Sequence, residues 1–167
     1  FVPAGRPPHK TGQRITDVEH RYLMAAMATV TNPCFEVSRV EIERPGPSYT
    51  FETVSEFRHH LGSQARLFFI TGADAILEIW SWKDARRLLK MCEFIAATRP
   101  GYVLSGLEML LARVEEPDRR RLHLLEVPAL AISSSDIRER VRQGRPIKYL
   151  VPEVVENYIY KHGLYRY

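Results

Sequence analysis

Short apolar runs alternate along this chain with longer amphipathic stretches, and that alternation restricts the fold more than any other feature. The segment Leu67-Phe68-Phe69-Ile70, within Arg66 to Thr71, is too brief for a helix and reads as a buried strand. Glu93 to Thr98 and Leu122 to Val127 read the same way. Between and around them lie helical stretches: Thr16 to about Asn32, Thr50 to about Leu61, Trp82 to Met91 and Val103 to Arg113. Two more follow, one opened by Ser135 and stopped by Gly144, the other with Pro152 in its first turn and closed by Gly163. Strands that alternate with helices predict an α/β fold, a parallel sheet with helices on both faces. Two further local expectations go with it. Thr16-Asp17-Val18-Glu19 has the form of a capping box with Thr16 as the cap. Phe35 to Ile42 alternates apolar and polar residues, the period of a half-buried strand.

Composition narrows the class of protein. A chain of 167 residues suits one domain, and 45% hydrophobic with 26% charged residues excludes a disordered or collagen-like polymer. No apolar run approaches the ~20 residues of a membrane span, and Phe1-Val2-Pro3-Ala4-Gly5-Arg6 lacks the pattern of a signal peptide. Cys34 and Cys92 are too few for a disulfide framework and stand in no zinc-ligand spacing, so two reduced thiols in a cytoplasmic protein are expected. The net charge of +4 is spread along the chain, apart from Arg119-Arg120-Arg121. Without aromatics interleaved among the basic residues, nucleic acid is not the expected partner. Anionic small molecules remain.

In open parallel sheets ligands bind beyond the carboxyl ends of the strands, and three segments are placed there. The loop Pro3 to Lys10 is stiffened by prolines and ends in the cationic pair His9-Lys10; it reads equally as a rigid surface loop. In Thr71-Gly72-Ala73-Asp74, Gly72 admits close approach to the backbone, while Asp74 is either a helix cap or an acceptor for a ribose diol. Trp80 and Trp82 follow, as core residues or as faces for a flat ring. In Ile132-Ser133-Ser134-Ser135-Asp136-Ile137-Arg138, hydroxyls and free amides at a helix start, with an arginine one turn in, suit a phosphate.

Seven stretches in order carry a resemblance: PAGRPPHK at 3–10, EHRYLM at 19–24, PSYTFETV at 47–54, TGADAILEIWSW at 71–82, TRPGY at 98–102, ISSSDIR at 132–138 and YLVPEVVENYI at 149–159. Together they resemble the bacterial nicotinate mononucleotide adenylyltransferases, of the nucleotidylyltransferase superfamily with its Rossmann-like fold. That resemblance implies adenylyl transfer from ATP to nicotinate mononucleotide, with Mg²⁺ accompanying the ATP. By the same resemblance Lys10 and Arg138 face phosphates as catalytic residues, with His9 a weaker candidate beside them. Gly72, Asp74, Ile132, Ser134, Ser135 and Arg138 bind ATP, and Tyr49, Thr50 and Trp82 hold the nicotinate end. The family's opening GGTFDPxHxGH motif has no counterpart among the six histidines here, and Ser135 stands where the family usually has Thr. The first strand and helix are therefore expected to be missing from a single, N-terminally incomplete domain. The alternative reading is an inactive fragment or domain that keeps nucleotide or partner binding. Homo-oligomer formation and the preference between nicotinate and nicotinamide mononucleotide stay open.

Overall fold

The strand-like runs form one sheet. A computed structural model describes residues 1–8, 15–98, 106, 112–114, 116, 118–128 and 132–166. The chain divides into two compact units, Tyr49–Ala129 and the pairing of Phe1–Ser48 with Leu130–Tyr167.

In the Tyr49–Ala129 unit, β1 (Phe68–Gly72), β2 (Glu93–Thr98) and β3 (Leu122–Glu126) lie in the order β1-β2-β3, all parallel. The expected parallel α/β arrangement is therefore present, with each strand within a residue or two of its expected bounds. Register sets Phe69 beside Phe94 and Phe94 beside Leu122, so one face of the sheet is continuous and apolar. Helices α3 (Thr50–Leu61), α4 (Ala73–Leu77) and α5 (Ala85–Met91) supply its cover through Val54, Ile76, Leu88 and Leu89. Phe94, Ile76 and Leu88 are wholly buried, each contributing about 1.5–3 kcal/mol of hydrophobic stabilisation. Arg58, near the end of α3, donates to the carbonyls of Ala65 and Met91 and so ties the loop before β1 to the end of α5. On the opposite face Ile70 is 68% exposed. The helix expected over Val103 to Arg113 falls almost entirely outside the described residues.

The other unit contains α1 (Val18–Thr29), α2 (Val40–Glu43), α6 (Ser134–Arg142) and α7 (Glu153–Lys161). Its core is built from Ile137, Val141, Ile147, Val155 and Ile159, with Met24 and Met27 of α1 packed against it. A 2.8 Å hydrogen bond joins His20 Nδ1 to the Tyr158 hydroxyl. Gly144 and Gly163 take left-handed φ of 68° and 58° just past α6 and α7, the helix stops expected from their positions.

Two local expectations are corrected. The cap of α1 is Asp17, whose carboxylate accepts the Glu19 amide at 2.9 Å. Glu19 does not reach back to close a capping box; it pairs with Arg39 at 2.6 Å, and a charged partner outcompetes a neutral amide. The stretch Phe35 to Ile42 is not a strand. Phe1 donates to the Glu36 carbonyl at 2.6 Å and accepts from the Ser38 amide at 2.8 Å, the exchange of a single parallel pair. Beyond it the chain turns into α2, where the Ile42 and Glu43 amides bond the Arg39 carbonyl and Arg39 pairs with Glu43. Alternation makes a strand only where a ladder partner continues, and here local helical bonds take over at Val40.

Candidate active site

Each unit holds one group of the candidate residues. In the sheet unit, α4 begins immediately beyond β1, with Gly72 as its N-cap in extended backbone and no side-chain cap. Gly72 and Asp74 are both exposed at this strand end. A Cβ at Gly72 would collide with the Asp74 carboxylate oxygen.

Helix α3 starts from Tyr49, which has extended backbone and gives no side-chain cap. Thr50 is the first helical residue. The Tyr49 carbonyl accepts the Glu52 and Thr53 amides at 3.0 and 3.2 Å. The positive end of a helix favours an anion, and the Tyr49 side chain does not cap this one. Beside it, Lys83 Nζ sits 4.5 Å from the centroid of the Tyr49 ring and 2.6 Å from a Glu52 carboxylate oxygen. The Glu52 hydrogen bond raises the Lys83 pKa above the ordinary lysine value.

Trp82 closes the short 3₁₀ turn Ile79–Ser81 and is half-buried. Its ring meets Phe69 edge-on, with centroids 5.7 Å apart and planes at 77°; Phe69 in turn packs on Phe94. The indole is thus braced from the core, as a stacking platform requires. Trp80 also packs on the core, beneath the Arg113 guanidinium.

In the second unit, Ser133 is the true N-cap of α6 and accepts the Asp136 amide at 3.1 Å, so the helix opens one residue earlier than Ser135. Ser134 and Ser135 occupy its first turn and are exposed, while Ile132 packs partly buried against the core. The three arginines of α6 differ sharply. Arg140 pairs with Asp136 at 2.7 Å and Arg142 with Glu139 at 2.6 Å. Exposed Arg138 instead donates to the Ser135 hydroxyl at 3.1 Å and has no carboxylate partner among the described residues. A guanidinium held by a neutral hydroxyl, over a helix start, is left with its charge available to an anionic ligand.

The loop that leads to His9 and Lys10 is fixed over Pro3 to Pro8; His9 and Lys10 themselves lie outside the described residues. Arg6 and Ser48 exchange two hydrogen bonds, at 3.0 and 2.9 Å, and Arg21 donates to the Gly5 and Thr16 carbonyls. Gly5 lies against the backbone of Glu41 so closely that a Cβ would overlap its carbonyl. The Arg6–Ser48 and Gly5–Glu41 contacts, like the Lys83–Glu52 pair, escape sequence reasoning because their partners are tens of residues apart. Ser133 alone was available from sequence, as the first serine after an apolar segment.

The parallel β1-β2-β3 sheet with helices packed on it defines an α/β protein. A model described as cytidylyltransferase-like matches residues 1–140, and the chain belongs to that family. Among its relatives, the probable nicotinate-nucleotide adenylyltransferase of Moorella thermoacetica is 60% identical over 99% of this chain and 76% of its own length. That of Thermoanaerobacter sp. is 55% identical over 99% and 79%. The solved Plasmodium falciparum nicotinic acid mononucleotide adenylyltransferase complexed with NaAD shares the fold, with a TM-score of 0.67 at 19% identity over 98% of this chain and 80% of that one. The same enzyme complexed with APC aligns with a TM-score of 0.63 at 20% identity, over 90% and 77%. Among the described residues, no helix is long and apolar enough to cross a membrane.

Proposed function

We propose that this transferase joins ATP to nicotinate mononucleotide, giving nicotinate adenine dinucleotide and pyrophosphate, a step of NAD biosynthesis. The observation that carries the reading is Arg138, the one arginine of α6 without a carboxylate partner among the described residues, in a chain 60% identical to a probable nicotinate-nucleotide adenylyltransferase. The chemistry needs no protein nucleophile. The 5′-phosphate of the mononucleotide is mostly dianionic at neutral pH, given a second pKa of ~6. One of its oxygens attacks the α-phosphorus of ATP; the new P–O bond forms as the bond to the bridging oxygen breaks and pyrophosphate departs. What the protein supplies is alignment and charge stabilisation.

In this reading Arg138, Ser134 and Ser135 bind phosphate oxygens, and Lys10 joins them by family resemblance. Ile132 backs the ATP site from the core, while Gly72 and Asp74 take the adenosine ribose. Trp82 stacks on the nicotinate ring, and the amides at Tyr49–Thr50 receive its carboxylate. Among the described residues no three His, Cys, Asp or Glu stand together as a metal cage. A Mg²⁺ accompanying ATP would be held chiefly by its phosphates and by water, where it would neutralise charge on the leaving pyrophosphate. The two free thiols and the bacterial relatives support a cytoplasmic enzyme.

The test is an assay of the purified enzyme with ATP and either mononucleotide, alongside Trp82→Ala. The nicotinate dinucleotide should form faster than the nicotinamide one. Trp82→Ala, once shown folded by circular dichroism, should weaken the mononucleotide by ~1–3 kcal/mol, the range for a lost stacking partner, and leave the ATP KM nearly unchanged. A raised ATP KM with normal mononucleotide binding would reverse the assignment of the two substrate ends.

A further inference from the structure

We propose that the cleft across the starts of the three strands is a second binding site, one that takes a compact inorganic polyphosphate, at the end of the sheet opposite Gly72 and Asp74. Leu67 precedes β1, Glu93 opens β2 and Arg121 precedes β3, and all three line the cleft. The length of β1, five residues at about 3.3 Å each, separates it from Gly72 and Asp74. Its volume of about 470 Å³ falls within the ~300–1,000 Å³ of small-molecule sites. Arg58, Arg66, Arg120 and Arg121 supply cations, and Ser63 and Gln64, both exposed, supply neutral donors.

Charge decides what the cleft can hold. Glu93 is the one carboxylate among the lining residues, and it is already shared, with Arg66 2.8 Å from one oxygen and His123 2.7 Å from the other. Arg58 donates to the carbonyls of Ala65 and Met91, neutral acceptors that leave its charge uncompensated. Arg121 donates to the Lys90 carbonyl at 3.2 Å, and its ion pair with Asp118 is long, at 4.0 Å. Arg120 pairs with Glu116 at 3.3 Å but is 83% exposed, so water screens that contact and a ligand of higher charge can replace it. Burial pushes the Cys92 thiol up to about 11, so it adds no negative charge near neutrality. A guanidinium fork meets phosphate oxygens two at a time, and an anion of several charges matches a cleft with four of them. No aromatic side chain stands among the lining residues, so a nucleobase finds no face to stack on. A polyphosphate without a base is therefore the better fit, and two members of the basic run Arg119-Arg120-Arg121 acquire a role in holding it.

The experiment is calorimetric titration of the full chain with inorganic triphosphate at low salt, in the wild type, Arg120→Gln, Arg120→Gln/Arg121→Gln, Glu93→Gln and Arg138→Ala. The double variant should bind about tenfold more weakly, the scale of two partly screened charge contacts. Arg120→Gln alone, at an exposed position that folding does not depend on, should bind about two- to fivefold more weakly. Glu93→Gln should bind about two- to fivefold more tightly, because it removes the competing carboxylate and releases Arg66. Arg138→Ala, in the other unit, should keep a binding event of wild-type affinity. Titrated in the same way, GTP should bind the cleft no more tightly than triphosphate does. Unchanged affinity in the double variant, weaker binding in Glu93→Gln, or loss of all binding in Arg138→Ala would overturn the inference. So would GTP binding that is tighter than triphosphate and is abolished by Arg120→Gln/Arg121→Gln, since the cleft would then be selecting a nucleotide.

Discussion

Replacing Arg138 by alanine should separate catalysis from folding more cleanly than any other single change in this protein. In the structure its guanidinium makes one hydrogen bond, to the exposed Ser135 hydroxyl, and no ion pair among the described residues. Removing an exposed side chain with so few contacts should change folding stability by about 0.5 kcal/mol or less. If the same guanidinium meets phosphate oxygens during the reaction, its loss removes a charge-assisted contact at the moment charge is redistributed. A comparable deletion costs about 10²–10³ in rate, or ~2.7–4 kcal/mol of transition-state stabilisation. Arg138→Lys should recover only part of this, because an ammonium lacks the planar fork. Arg140 is the internal control: it lies on the same helix but is paired with Asp136 at 2.7 Å. Arg140→Ala should cost about 0.3–0.5 kcal/mol of stability, as for other i,i+4 pairs, and leave turnover nearly unchanged. Steady-state kcat/KM from pyrophosphate release, measured beside thermal melts, reads both quantities. Normal turnover in Arg138→Ala, or an equal loss in Arg140→Ala, would refute a phosphate role for Arg138.

Two further outcomes concern the framework. Gly5→Ala would place a Cβ against the Glu41 carbonyl and near the Ser48 hydroxyl; forcing the loop away should destabilise by about 1–3 kcal/mol, as overpacking does, and a melting temperature within about a degree of wild type would contradict the close packing. At the start of β2, hydrogen bonds from Arg66 and His123 hold the Glu93 carboxyl below the ordinary carboxylate pKa. A depressed folded-state pKa contributes stability above the unfolded value that is lost as pH falls through the folded one. Glu93→Gln should therefore lower stability near neutrality and flatten the acid limb of the pH–stability curve, and urea titrations giving parallel acid limbs for both proteins would disprove the linkage.

Some of this architecture was legible in the residues themselves. Leu67–Ile70, Phe94–Ala97 and Leu122–Val127 announce strands because an apolar run too short for a helix has few other ways to be buried, and all three appear in the sheet. Gly144 and Gly163 mark helix ends because left-handed φ costs a glycine little. The serines before Arg138 announce a helix start by the chemistry of capping. These are signals in which a residue and its immediate neighbours carry the whole energetic argument. Competition between alternatives of similar strength was decided only in three dimensions. Asp17 outranks Thr16 as a cap once Glu19 finds Arg39, twenty residues away. Phe35 to Ile42 loses its strand because one parallel pair with Phe1 is no match for the local bonds of α2. The difference among the arginines of α6, and the embrace of Glu52 by Lys83, likewise depend on which opposite charge lies within reach. Local preference is a property of a few adjacent residues, whereas the availability of a charge depends on every group the fold brings near it.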